Sequence, residues 1–281
     1  MLKKIRSLTY QYAIPAAFII FVLMDCLLLG LGRLLSLLPQ TLTMKYLSQS
    51  ILTLVPVAGV FFFGFSRAFK KGNLLRGLVC CIPFLAFQLL GMVGSFFKIM
   101  KNPEAVWNPW YLIIYGVFVV ICIGVREECF YRATIQNIVA KKYANSVKGI
   151  WITVIVSAMI FGLSHVPNLF FGMTPFAVFS QVIYAVAAGL LFGAVYLRSG
   201  SIWPLILVHT LTDIVGVAES IFLNNVSDVE AMNGISLSWG ALIIRLIYVG
   251  LTVFLLRPSK CKQIFESLCF AGEEPEVSAR A

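Results

Sequence analysis

Two histidines occur in this chain of 281 residues, and each stands four residues from a second distinctive side chain: Phe161-x-x-x-His165 and His209-x-x-x-Asp213. A third polar cluster, Glu127-Glu128-Cys129-Phe130-Tyr131-Arg132, lies in an equally apolar setting. Imidazoles and carboxylates move protons near neutral pH, so this set holds what general acid–base catalysis requires. Ionisable side chains at bilayer depth cost roughly 2.5–3.5 kcal/mol each, so a chain that carries several inside apolar runs usually keeps them for a site.

The spacing indicates which groups share a face. On a helix, residues four apart are offset by only about 40°, so Glu128 and Arg132 point the same way, as do Phe161 and His165, and His209 and Asp213. Glu128 followed by Arg132 is the acid-first i,i+4 pair that helices favour, and the two charges are expected to anchor the helix. Glu127 points about 100° away and has no obvious local partner, so the two glutamates are given different jobs. Free to take a proton, Glu127 is the expected general base. One buried histidine or one Glu–Arg pair is as often a packing feature as a site; three clusters that use up both histidines argue for chemistry.

The elements that must position these groups are membrane spans. Hydrophobic residues make up 60% and charged residues 12% of the chain, with a mean hydropathy of +0.92. Globular domains carry about a quarter charged residues. Runs long enough to cross about 30 Å of hydrocarbon occur at Ile14 to Leu38, Ser48 to Phe65, Leu78 to Phe97, Trp110 to Val139, Ile150 to Phe171, Phe176 to Leu197, Ile202 to Phe222 and Leu237 to Leu256. The expected fold is therefore an all-α, polytopic membrane protein of about eight transmembrane helices. No linker or repeat divides it, which gives one membrane domain over 1–257, with the core motifs in 110–222. Residues 258–281, with Gly272-Glu273-Glu274-Pro275-Glu276, are expected to be a short disordered cytoplasmic tail.

Lysine and arginine set the orientation. Lys3, Lys4 and Arg6, then Arg67, Lys70, Lys71 and Arg76, then Lys141, Lys142 and Lys148, then Arg198, then Arg257, Lys260 and Lys262 all fall at the same side of the expected spans. The intervening loops hold only Lys45, Lys98 and Lys101. By the positive-inside rule both termini face the cytoplasm of a cell-membrane protein. Much of the net charge of +10 is thus a topology signal, and no basic patch on a soluble domain points to nucleic acid. The first apolar run exceeds a signal-peptide core and is read as a retained span. The seven cysteines form no Cys-x-x-Cys pair and read as small buried hydrophobes. Asp25, Arg33 and Arg245 are expected to pair with one another or to snorkel.

Glu127-Glu128-x-x-x-Arg132, Phe161-x-x-x-His165 and His209-x-x-x-Asp213, each in its own apolar span, resemble the CAAX prenyl protease and bacteriocin-processing (CPBP, or Abi) family of intramembrane proteases. The resemblance covers roughly Trp110 to Phe222, and beyond it the chain is similar only in being hydrophobic. It implies a CAAX prenyl protease-like helical bundle that hydrolyses a peptide bond within the membrane. Glu127 with His165 would activate the water, and His209 with the residue four later would face the tetrahedral intermediate. That later residue is often Asn in the prenyl-processing members. Here it is Asp213, which cannot donate to an oxyanion when ionised and is assigned instead to orienting His209. Glu128, Arg132 and Phe161 are expected to support the site.

Other intramembrane protease chemistries lack their residues. His-Glu-x-x-His is absent, Asp25 and Asp213 have no presenilin-type context, and Gly162-Leu163-Ser164-His165 departs from Gly-x-Ser-Gly at its last position. The four site residues suffice without a cofactor, although a divalent metal such as zinc would find ligands in Glu127, His165 and His209. Three function classes stand: an endopeptidase acting on a peptide or membrane-protein substrate, a non-catalytic scaffold of the same fold, and a small-solute transporter. Paired Gly/Pro-broken spans in matching halves, which a transporter would favour, are missing.

Overall fold

The computed structural model describes residues 2–70, 72–234 and 238–268. Among them no strand forms, and the β contact present is an isolated antiparallel bridge between Trp107 and Leu223. The helices are α1 (Leu2–Gln11), α2 (Ala13–Ser36), α3 (Leu42–Phe62), α4 (Leu74–Met100), α5 (Trp110–Glu127), α6 (Asn137–Tyr143), α7 (Val147–Leu163), α8 (Pro175–Ser199), α9 (Trp203–Gly216), α10 (Ala218–Phe222), α11 (Asp228–Asn233), α12 (Trp239–Leu255) and α13 (Pro258–Leu268).

Polar residues at the starts of the apolar helices explain where they begin. The side chains of Thr41, Asn73, Ser146, Thr174 and Ser238 each accept a hydrogen bond from the backbone N–H three residues on. Each satisfies an amide that the first helical turn leaves without a partner.

Among the described residues five helices are long and apolar enough to cross a membrane: α2, α3, α4, α8, and α7 carried on by a 3-10 turn to Phe171. The helices α9 and α12 are apolar but shorter. Large aliphatic side chains face outward along the bundle, including Leu23 at 64%, Leu90 at 69% and Leu246 at 70% exposure. Water would penalise that surface and hydrocarbon would not. The chain is a multi-pass helical membrane protein. Its expected fourth span is not a simple α-helix: α5 runs into a nine-residue π-helical stretch, Glu128–Gln136, and then into α6. The expected seventh span is α9 followed by the short α10.

The helix α8 forms the spine, packed along α7 on one side and α12 on another. Its buried face is rich in small residues, Ala187, Ala188, Gly189, Gly193 and Ala194, which let neighbouring backbones approach where lipid offers no hydrophobic drive. Phe84 of α4 stacks on Tyr248 of α12 at 4.6 Å and tilts against Phe192 of α8 at 5.1 Å. At the end of α8, Gly200 adopts φ 66° and its N–H bonds to the Tyr196 carbonyl. That left-handed cap, which glycine takes without a Cβ clash, turns the chain into α9 and lays His209 beside Phe192.

Two expectations about the chain's periphery need correction. Residues 258–268, expected within a disordered tail, form α13 instead, with Cys261 and Ile264 buried against the bundle. The acidic stretch Gly272 to Glu276 lies outside the described residues. The cysteines are not uniformly buried either, since Cys26 is exposed.

Candidate active site

Glu127 and Glu128 stand at the join between α5 and the π-helical stretch. A π turn holds one more residue than an α turn, a geometry concentrated at functional sites. Here it is held by hydroxyls that donate to its carbonyls: Thr134 Oγ1 to Cys129 at 3.0 Å, and Ser157 Oγ of α7 to Tyr131 at 3.0 Å. All nine of its residues are buried. One turn earlier, Gly124 lets α5 press against α9, since a Cβ there would fall 2.7 Å from Thr210 Oγ1. This close approach brings the two glutamates to His209.

His209 is 5% exposed and meets three carboxylates. Its Nδ1 lies 2.7 Å from Glu128 Oε1 and, because a carboxylate accepts, that nitrogen donates. Its Nε2 faces Glu127 Oε2 at 3.4 Å and Asp213 Oδ2 at 3.7 Å. The two glutamates therefore do reach one imidazole, but at opposite nitrogens. Glu128 holds the ring at Nδ1, whereas Asp213, expected to orient His209, faces Nε2. This pairing lies 81 residues apart in sequence, and no local spacing announces it.

Glu128 also completes the expected pair with Arg132, at 3.4 Å between Oε2 and Nε, with both side chains wholly buried. Among the described residues the guanidinium makes no hydrogen bond; it lies over the Phe161 ring at 4.4 Å and near Phe192 at 5.4 Å. Aromatic faces hold a cation well once water is excluded. Phe161 meets both histidine rings as well, edge-on to His165 at 5.1 Å and to His209 at 5.7 Å. His165 Nδ1 lies 2.9 Å from the Phe161 carbonyl. A carbonyl accepts, so Nδ1 carries the proton and Nε2 is left as the acceptor.

Glu127, His165, His209 and Asp213 line a single cavity of about 970 Å³, whereas Glu128 and Arg132 stand behind its wall. The cavity has further polar lining that the sequence reading did not assign to a site. Asp25 of α2 and Arg245 of α12 both face it, and among the described residues neither forms an ion pair with the other or with Arg33. The signal was a charge within an apolar run; the sequence does not tell that the first and last spans border the motif helices. Among the described residues no group of three or more His, Cys, Asp or Glu is placed to hold a metal ion.

Residues 108–215 match the family model described as type II CAAX prenyl endopeptidase Rce1-like. All of the motif residues, from Glu127 to Asp213, fall inside that stretch. The match covers 108 of the chain's 281 residues, and over that segment the chain is similar to Rce1-like endopeptidases. Comparison with curated proteins and comparison with solved structures each give no match. Within the bundle, the Rce1-like stretch supplies α5 to α8 and nearly all of α9, while Asp25 and Arg245 reach the same cavity from outside it.

Proposed function

We propose that this protein is a glutamate-dependent intramembrane endopeptidase with Glu127 as its general base. The observation that carries the reading is the division of labour between the two glutamates. Glu128 is fully buried and committed to His209 Nδ1 and Arg132, whereas Glu127 faces the cavity with His165, His209 and Asp213.

In this mechanism Glu127 and His165 Nε2 hold a water, and Glu127 takes its proton as the oxygen attacks the scissile carbonyl carbon. The carbonyl oxygen becomes an oxyanion facing His209 Nε2, which donates to it when protonated. Glu127, Glu128 and Asp213 surround that imidazole with negative charge, which compensates the proton it carries. Glu128 fixes the ring through Nδ1, the role a carboxylate plays for a catalytic histidine elsewhere. Collapse of the intermediate breaks the C–N bond as Glu127 returns the proton to the leaving amine. Water adds across one peptide bond and no metal takes part in a step.

The expected substrate is a peptide or membrane-protein segment that enters the apolar cavity, with the protein in the cell membrane and both termini cytoplasmic. Full-length purified protein in lipid nanodiscs, incubated with apolar candidate peptides and followed by mass spectrometry, should yield two fragments whose masses sum to the substrate plus one water. A wild-type preparation that folds and binds such peptides without cutting any of them would favour a non-catalytic scaffold.

A further inference from the structure

Arg245 is one of the charges lining the cavity that this mechanism does not use, along with Asp25, Arg126 and Asp228. It lies on α12, outside the Rce1-like stretch, and is 6% exposed. Its Nη2 donates to the carbonyl of Ser180 at 3.2 Å and to Ser180 Oγ at 3.0 Å, and its guanidinium lies 5.6 Å from the centroid of the Tyr184 ring. Those bonds fix the side chain in place, yet its Nε has no partner and no carboxylate among the described residues pairs with it. A buried cation lacking an anion is costly in a membrane helix. A neutral residue would tie α12 to Ser180 at lower cost. What the positive charge adds is a planar fork suited to a carboxylate.

Its position fits a peptide already seated at Glu127. Ser180 and Gly189 lie on the same helix, α8, and the Phe161 ring that backs both histidines packs at Gly189. Their offset of nine residues amounts to about 13.5 Å of helix, which a few residues of extended peptide would span.

We propose that Arg245 binds a carboxylate of the peptide occupying the cavity and so selects substrates, a role that rests on the endopeptidase reading given above. The carboxylate belongs either to the peptide's C-terminus or to an acidic side chain.

The test measures binding separately from cleavage. One short, apolar, fluorophore-labelled peptide is made with a free C-terminal acid, with a C-terminal amide, and with an amide plus one internal glutamate. Fluorescence anisotropy with the full-length protein in nanodiscs gives Kd for wild type, Arg245→Gln, Arg245→Lys and Glu127→Gln, with thermal melts as the control for folding. Wild type and Glu127→Gln should bind at least one carboxylate form about tenfold tighter than the plain amide. Arg245→Gln should bring that ratio close to one at unchanged melting temperature, and Arg245→Lys should restore part of it. The acid form identifies the chain terminus as the source, and the glutamate form identifies a side chain. Equal binding of all three peptides by wild type, no binding of any, or a ratio that survives Arg245→Gln overturns the proposal. Carboxylate-selective binding without cleavage would leave Arg245 standing and remove the protease reading; cleavage without carboxylate selectivity would do the reverse.

Discussion

Glu128 and Glu127 are chemically identical and adjacent, and their surroundings separate them. Glu128 is sealed between His209 Nδ1 and Arg132, while the Glu127 side chain keeps 24% of its exposure and looks into the cavity. The sequence points to Glu127 because it has no obvious local partner, and to Glu128–Arg132 because the i,i+4 spacing favours that pair. It gave no sign that Glu128 also holds His209, because that contact joins residues far apart in the chain. Arg132 consequently carries more than an ion pair. Arg132→Ala leaves a wholly buried carboxylate with only the imidazole and removes the cation stacked on Phe161, so stability should fall by about 3–5 kcal/mol. Thermal unfolding in detergent measures this. Lost turnover at an unchanged melting temperature would instead place Arg132 in direct contact with substrate.

Helices position these residues through features of different legibility. The apolar runs were readable, since hydrophobic length marks them directly. The π-helical stretch was not, because Glu128–Gln136 has the composition of an ordinary amphipathic turn; Ser157 of α7, a contact across the bundle, helps hold it open. Gly124 likewise reads as an ordinary membrane glycine until α9 is placed against it. Gly124→Val would drive methyl groups into the Thr210 side chain and toward the Ile206 carbonyl, 3.4 Å from the Cβ position. The expected outcome is separation of α5 from α9, with turnover falling at least tenfold while the protein still inserts and purifies. Wild-type turnover in that variant would mean the glutamates reach His209 without the close approach.

Across the whole molecule, the cavity draws on helices from both ends of the chain. Family resemblance reached only the middle, and spans that match merely in being hydrophobic gave no order of packing. Asp25 and Arg245 were accordingly read as stray charges, yet both face the cavity. If the cavity holds water, its lining should react where the lipid face does not. In a background with the native cysteines replaced by serine, Asp25→Cys should be labelled by a membrane-impermeant maleimide in opened vesicles. Leu23→Cys, on the outward face at 64% exposure, should stay unlabelled. Equal labelling at the two positions would contradict a polar cavity bounded by α2.

The central claim is that one carboxylate, Glu127, activates the water. Glu127→Gln keeps the size of the side chain and one acceptor oxygen, and removes its ability to take a proton. Turnover of the same peptide by wild type and by Glu127→Gln, each shown to have the same melting temperature and peptide affinity, therefore measures the claim directly. The account predicts a loss of about 10²- to 10⁴-fold in kcat. Wild-type kcat in Glu127→Gln would contradict it.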